Sequence, residues 1–362
     1  MSRKSLTATL IILLLCTLLA ACGGNSDDPS ASPTPSPSPS DVAPSAGTPP
    51  TSGSAAPGEE IARADAPTDV TQVLDWFAQP THGGFFAAHK QQFYQDANLN
   101  VTLQNGGPQV SAVQIVASGK ADFGLAGADA LLLAREQGIP VVALGAVLQI
   151  SPSALFYHKE NTSIRDFGDL NGHKVYAVLA ATYWQYLKSA YKLDDVQEFQ
   201  FNGQYANFVE DKTAVTQGYV TNTLADLESQ GVETNHLLVA DSGYRPYYTV
   251  IFTTEKYIEE HPDVVKAYVQ ATVKGWNYYK DHAPEISGEL VKVNANGDAA
   301  GFDREAEAQK EFVFGHDAAE RGVGYMSKER WEELSRQLHD IGALTKNEDV
   351  TKAFTTAFLP QG

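Results

Sequence analysis

Cysteine is nearly absent from this 362-residue chain: only Cys16 and Cys22 occur, both close to the start. The long remainder therefore has no disulfide scaffold, no thiol nucleophile and no cysteine metal site. Cations are scarce as well. Lys and Arg number 26 against 44 Asp and Glu, a formal charge of -18, and no basic stripe is present. That balance argues against nucleic acid as a partner, because phosphate-backbone binding rests on clustered cations. Catalytic signatures are missing too: no G-x-S-x-G elbow, no G-x-x-x-x-G-K-[ST] loop, no G-x-G-x-x-G after a strand and no H-E-x-x-H. His82 and His89 have no acidic companion at metal-ligand spacing. "NANGDAAGFD" (294–303) lacks the alternating acids and closing Glu of a calcium loop and reads as a surface loop. No repeat at a solenoid period occurs. No catalytic residue, metal ligand or cofactor is assigned.

What is present at the start is an export pattern. Arg3 and Lys4 precede "LTATLIILLLCTLLAA", an apolar run too short for a comfortable membrane span and closed by small residues. "LAAC", Leu19 to Cys22, resembles a bacterial lipobox. The expectation is a signal peptide over 1–21 and a lipidated Cys22; the alternative is an ordinary signal peptide with a chance cysteine. The next stretch, from Gly23 to Glu60, is rich in Pro, Ser and Gly and almost free of large apolar side chains. It cannot bury enough surface to offset the entropy of ordering, so 22–68 is expected to be a tether. No further span of about twenty apolar residues follows, so contact with the membrane is expected through the lipid alone. The location implied is extracytoplasmic, on the periplasmic side or outer surface of the cell membrane.

Pattern resumes at "TQVLDWFA" (71–78), read as a strand, and roughly 290 residues remain, a comfortable length for two lobes. Residues 84–96 read as one aromatic helix and "NVTLQNG" as a short strand. "PQVSAVQIVASG" reads as a helix opening on Pro108 and closing at Gly119. "ADFGLAG", "ADALLLAREQG" and "IPVVALGAVL" continue the alternation as strand, helix and strand. It restarts after "SALFYHK" with the strand in "HKVYAV", the helix "TYWQYLKSAYKL", the strand "VQEFQFNG" and a mostly helical "NFVEDKTAVTQG". The last third is helical by period, with Trp276 and Trp331 read as packing residues. Strands alternating with helices predict an α/β protein with largely parallel sheets. The division is lobe 1 over 69–152 and 246–362, and lobe 2 over 153–245. Two hinge crossovers, strands near 153–158 and 246–253 that carry Tyr157 and Tyr248, join them, and the helical C-terminal tail returns to lobe 1.

Four stretches, taken in order, carry a resemblance. "DWFAQPTHGGFFAAHKQQFYQDANLNVTL", "IVASGKADFGLAGADALLLAREQGIPVVALGAVLQ", "FGDLNGHKVYAV" and "ADSGYRPYYTVIF" resemble successive blocks of the thiamine-pyrimidine-synthase-like substrate-binding proteins. The resemblance covers roughly residues 71 to 290. It implies a two-lobed, type II periplasmic-binding-protein fold. It also implies delivery of a small molecule to the permease and ATPase of an ABC importer. A eukaryotic branch of the family makes the thiamine pyrimidine itself, consuming a histidine that aligns with His82. That branch carries a cysteine-rich motif before the returning strand, where this chain has "VADSGYRPYYT", and a glycine-rich phosphate loop where it has "LAATYWQ". Synthase activity is therefore disfavoured. In the pyrimidine binders a Tyr-x-Asn-Glu-like segment presents a carboxylate to the ring amino group; here "GYVTNTL" keeps Tyr219 and Asn222 but has Thr223 at the Glu position.

Ligands of such a fold sit between the lobes, where strand ends and helix starts converge. On the rim of lobe 1 the sequence points to Trp76, His82, Gly127, Asp129 and Gln149. From lobe 2 or its return it points to Tyr183, Trp184, Tyr219, Asn222, Asp241 and Tyr244. Aromatic faces with a few amides suit an uncharged planar heterocycle, a thiamine pyrimidine precursor or a flavin such as riboflavin. The bland readings are that Trp76 belongs to the core, that His82 and Asp129 cap helices, and that only one of Trp184 and Tyr186 faces the ligand. The alternative ligand is a sulfonate or nitrate held by helix N-termini, but of the basic residues only Arg245 falls at these turns.

Overall fold

The protein is described by a computed structural model covering residues 61–347 and 349–361. The signal segment 1–21, Cys22 and the stretch up to Glu60 lie outside the described residues. Among the described residues ten strands form two five-stranded sheets. The sheet of lobe 1 has the order β2-β1-β3-β10-β4: β1 Thr68–Val73, β2 Leu99–Gln104, β3 Phe123–Ala126, β4 Val141–Leu148 and β10 Thr249–Thr254. The sheet of lobe 2 has the order β7-β6-β8-β5-β9: β5 Ser153–His158, β6 Lys174–Ala177, β7 Gln197–Gln200, β8 Val215–Tyr219 and β9 Thr234–Leu238.

Each sheet is mixed. β10 runs antiparallel to β3 and β4, and β5 antiparallel to β8 and β9, while β1, β2 and β3, like β6, β7 and β8, pair in parallel. The two strands expected to pass between lobes do not do so. β5 and β10 each lie within one sheet, and the passages are the short segments 149–152 and 239–248 just before them. A strand that spanned two sheets would leave part of its backbone unpaired, whereas a short segment confines that loss to a few residues.

Helices cover the faces of the sheets. Those preceding the first passage are α1 Gly83–Lys90, α2 Phe93–Asp96, α3 Ala112–Ala117 and α4 Ala128–Glu136. Lobe 2 carries α5 Thr182–Tyr191, α6 Ala206–Glu210 and α7 Thr223–Ser229. After the return come α8 Glu255–Glu260, α9 Pro262–Val293, α10 Ala299–Ala308, α11 Lys310–Phe314, α12 Asp317–Arg321 and α13 Lys328–Asp340. Alternating side chains feed apolar layers on both faces of each sheet: Ile251 enters one and Phe252 the other, and Leu155 and Phe156 divide likewise in lobe 2. Trp276 and Trp331 are buried, as packing requires. No helix among the described residues is long and apolar enough to cross a membrane.

Local chemistry departs from the pattern in four places. β1 ends at Val73, so Trp76 and Phe77 lie in the following turn. The aromatic helix breaks at Gln92, whose φ of 62° is left-handed, and resumes as α2. "TAVTQGY" forms β8 instead of a helix because Val215 and Thr216 pair with both β5 and β6 in the lobe 2 core. Residues 61–67, expected in the tether, dock on α9: Ala62 N–H donates to Gln270 Oε1 (2.8 Å) and Asp65 N–H to Asp263 Oδ2 (3.0 Å).

The glycine pair after His82 has a packing role. A Cβ on Gly83 would fall 2.1 Å from the Tyr279 ring, and one on Gly84 2.2 Å from the Trp276 ring. Opposite them, a Cβ on Gly275 would lie 2.3 Å from the Gly84 carbonyl. α1 thus seats the Tyr279 and Trp276 rings of α9 on its glycine pair and meets the α9 backbone at Gly275.

The tail also fastens both passages. Arg330 on α13 donates through Nη2 to the carbonyl of Gln149 and, at 2.9 Å, to that of Arg245. Its Nη1 reaches Asp317 Oδ2 at 3.1 Å, and the guanidinium lies 3.8 Å over the Tyr247 ring. Arg330→Met keeps the apolar stem but removes the fork, and it is expected to destabilise the protein by about 3 kcal/mol, since hydrogen bonds to charged groups are worth about 1.5–3 kcal/mol each. Urea unfolding measures this; a change below about 0.5 kcal/mol, the scale of an ordinary surface substitution, would mean the passages are held by other means.

Candidate functional site

The turns after β1, β3, β6 and β8 face one another between the lobes, and the groups around Asp129 and Tyr219 hydrogen-bond across them. Asp129, in the first turn of α4, is the centre of one group. Its Oδ1 accepts from the backbone of Ala130 (2.8 Å), and its Oδ2 accepts from Thr182 Oγ1 at the start of α5 in lobe 2 and from Tyr244 OH (3.3 Å). Gly127 caps α4 with extended backbone, and Ala128 N–H donates to the Tyr247 carbonyl at 2.9 Å. The start of α4 therefore spends its first donors on the protein's own groups, a carboxylate among them.

A second group joins Tyr219, at the end of β8, to Tyr248, just before β10, with hydroxyl oxygens 2.8 Å apart. Beside them Tyr183 OH donates to Gln217 Oε1 (2.5 Å), and the Tyr186 and Tyr244 rings lie 5.1 Å apart. Burial pushes the phenols of Tyr183, Tyr219, Tyr244 and Tyr248 above the ordinary range. Neighbouring negative charge adds to this, from Asp75 at Tyr219 and Tyr248 and from Asp129 at Tyr244 and Tyr248. All four are neutral hydroxyls at physiological pH; Tyr183 and Tyr244 already donate to Gln217 and Asp129 and retain acceptor capacity. The fixed charge around them comes from carboxylates.

Trp76 is 43% exposed, set edge-on to Phe77 at 5.7 Å, and lies in the turn after β1. Two other residues of that turn are built inward. His82 is fully buried, its Nδ1 accepting from Gln79 N–H (3.2 Å), which leaves the proton on Nε2 to be donated to Asp75 Oδ1 (2.7 Å). The expectation that His82 is a rim contact is corrected: the ring pins the turn, and the partly exposed Asp75 lies within electrostatic reach of Tyr219 across the lobes.

Three other expected contacts are also placed elsewhere. Gln149 is buried, with Nε2 donating to the carbonyls of Ala146 (3.2 Å) and Tyr325 (3.1 Å), so it ties β4 to the tail. Trp184 is fully enclosed in the lobe 2 core, with Nε1 on Glu198 (2.5 Å); helix phase turns Tyr183, not Trp184, toward Tyr219. Asp241 is exposed on the 239–242 turn, near His236 on β9. Thr223, at the position where a carboxylate marks the pyrimidine binders, is buried; its hydroxyl accepts from Tyr219 N–H (2.9 Å) and lies 3.0 Å from Tyr205 OH, closing the turn after β8.

Sequence reasoning missed Asp75, Thr182, Tyr248 and Glu305. Glu305 lies on α10 and is 8% exposed, with Asn222 Nδ2 of lobe 2 at 3.5 Å from its Oε1. Asn222 starts α7, and its Oδ1 accepts from Thr223 Oγ1 (3.1 Å). Burial pushes the Glu305 carboxyl up to about 7, Asp226 adding to the effect and Asn222 offsetting part of it. Among the described residues no group of three or more His, Cys, Asp or Glu side chains is arranged to hold a metal.

The chain matches the NMT1/THI5-like family over residues 79–286, more than half its length. It belongs to that family. It is 29% identical over 332 residues to the riboflavin-binding protein RibY of Chloroflexus aurantiacus, covering 86% of this chain and 93% of that one. Identity to the 4-amino-5-hydroxymethyl-2-methylpyrimidine phosphate synthase of Candida albicans is 23% over 248 residues, 61% of this chain and 70% of the synthase. Among solved structures, the periplasmic aliphatic sulphonate binding protein SsuA of Escherichia coli superposes with a TM-score of 0.61 at 13% identity, over 80% of this chain and 92% of that one. The fold is that of the periplasmic binding proteins. Within the family-matched segment lie His82, Asp129, Thr182, Tyr219 and Asn222, whereas Trp76 and Glu305 fall outside it.

Glu305 holds its proton more tightly folded than unfolded. The stability this provides is complete below pH 4.5, the ordinary value, and is lost as pH rises through about 7. Between pH 5 and 8 the protein is therefore expected to lose up to about 3 kcal/mol more stability than Glu305→Gln. Urea unfolding of both across that range reads the difference; parallel curves would mean that the carboxyl titrates normally.

Proposed function

We propose that this protein is the substrate-binding lipoprotein of an ABC importer. Tethered outside the cell membrane through Cys22, it captures a planar, uncharged nitrogen heterocycle between its lobes. A thiamine pyrimidine precursor or a flavin such as riboflavin fits this description. The observation that carries the reading is the Asp129 carboxylate at the start of α4, held by Ala130, Thr182 and Tyr244 among phenols kept neutral. An anionic ligand needs free helix-start donors or a cation there and meets a carboxylate. A neutral ring meets aromatic faces and hydroxyls, which contribute about 0.5–1.5 kcal/mol per stacked pair beyond burial. The likeness to a riboflavin-binding protein over 86% of this chain points the same way.

Two other readings have less support. For sulfonate or nitrate the cation at these turns would be Arg245, which is turned to His316 (3.3 Å). For pyrimidine synthesis His82 would have to be reached by a reactant, yet it is enclosed and both ring nitrogens are engaged.

At saturating concentration, riboflavin or 4-amino-5-hydroxymethyl-2-methylpyrimidine is expected to raise Tm by about 4 °C or more, while taurine and nitrate leave it unchanged. A shift with the anions alone would overturn the heterocycle reading. Trp184, Trp276 and Trp331 are buried and Trp76 is exposed, so ligand-induced change in tryptophan emission is expected to vanish in Trp76→Ala, with affinity about tenfold lower. Unchanged quenching in that variant would place the ligand away from the turn after β1.

A further inference from the structure

Glu305 is out of balance with its surroundings. Among the described residues it has no ion pair, and its hydrogen-bonding partner is the Asn222 amide at 3.5 Å, the outer limit of such a contact. Arg304, its neighbour in sequence, is within electrostatic reach of Asp226. Two further polar atoms nearby are buried with no partner. Tyr279 OH, on α9, feels the Glu305 charge. Gln309 Oε1 lies one turn beyond Glu305, while the Gln309 Nε2 is used on the Pro80 carbonyl (2.8 Å). The corner formed by α9, α10 and the turn before α1 thus holds a carboxyl, an amide oxygen and a neutral hydroxyl that are buried and poorly paired. Buried polar groups are rarely left in this condition without a reason. The group within hydrogen-bond distance of the Glu305 carboxyl, Asn222 Nδ2, comes from the opposite lobe.

We propose that Asn222 and Glu305 form a two-point clamp, one residue from each lobe, that reads a ring acceptor lying next to an N–H on the edge of the ligand. The amide of Asn222 donates to the acceptor, and the carboxylate of Glu305 accepts from the N–H. The chemistry selected is that of a cyclic amide or imide, or of an aminoazine. A ring alkylated at that nitrogen, or an anion with acceptors alone, fails the test. The clamp rests on the heterocycle reading above and sharpens it, because it names the edge that is recognised. It also gives the loose contact a role: a ligand edge laid along both groups offers an N–H to the carboxyl. The two residues belong to different lobes, so they act together only when the lobes approach.

The experiment compares each parent ligand with a version methylated at the nitrogen in question: riboflavin with 3-methylriboflavin, and 4-amino-5-hydroxymethyl-2-methylpyrimidine with its 4-dimethylamino analogue. Binding to the full chain is measured by calorimetry for the wild type, Glu305→Ala and the near-isosteric Glu305→Gln. Whichever parent binds, the wild type is expected to prefer it over its methylated form by at least about tenfold, as sites built to pair an N–H do. That preference should fall below about threefold in Glu305→Ala and lie between in Glu305→Gln, whose amide oxygen still accepts without charge assistance. Equal binding of parent and methylated ligand by the wild type, or full discrimination in Glu305→Ala, would overturn the clamp and leave the heterocycle reading intact. If neither parent binds the wild type, the heterocycle reading falls and the clamp with it.

Discussion

The two lobes communicate through two short passages, and one guanidinium fastens both. Arg330 holds the carbonyls of Gln149 and Arg245, one from each passage, while stacking on Tyr247 and pairing with Asp317. A planar cation with five donors suits this task, because separate backbone acceptors can be held in one fixed fan. The residues before β5 and β10 are thereby set relative to α13, and the turns carrying Tyr219 and Tyr248 are brought face to face. The interlobe tyrosines, the carboxylates beside them and the Asn222–Glu305 contact all depend on that geometry.

Much of the architecture is legible in the chain because it is written locally. Runs such as "VVALGAVL" and "ADALLLARE" differ in period, and their alternation announces an α/β fold before any contact is known. Boundaries are less legible where two local tendencies compete. Gln92 breaks a helix that its neighbours would continue, and the strand "VTQGY" exists because β5 and β6 flank it. The passages between lobes are not legible, because hydrophobic pattern reports that a strand is buried but not which sheet receives it.

The site divides in the same way. Asp129, Tyr219 and Asn222 stand at strand ends and helix starts, positions that alternation locates well, while Trp76 lies in the turn after β1 and Tyr244 in the second passage. Trp184 and Gln149 share those neighbourhoods, but helix phase and a buried amide's need for partners turn them inward, and neither is visible in composition. His82 is subtler, since its ring holds the turn and leaves Asp75 as the group nearer the opposite lobe. Glu305 lies in "DREAEAQ", which reads as an ordinary solvated helix; its partner is 83 residues away, so nothing local marks it.

The carboxylate at the start of α4 has a consequence for how the protein meets its surroundings. Asp129 is a competitor tethered to its own site, and its effective concentration there is set by covalent geometry instead of by the medium. A dissolved anion would have to displace a group that cannot diffuse away. Chloride, phosphate or sulfate would therefore contend with a rival of fixed effective concentration, which raises by a constant factor the level each needs to reach the start of α4. The bias against dissolved anions at that helix start is thus set by the fold and not by the composition of the medium.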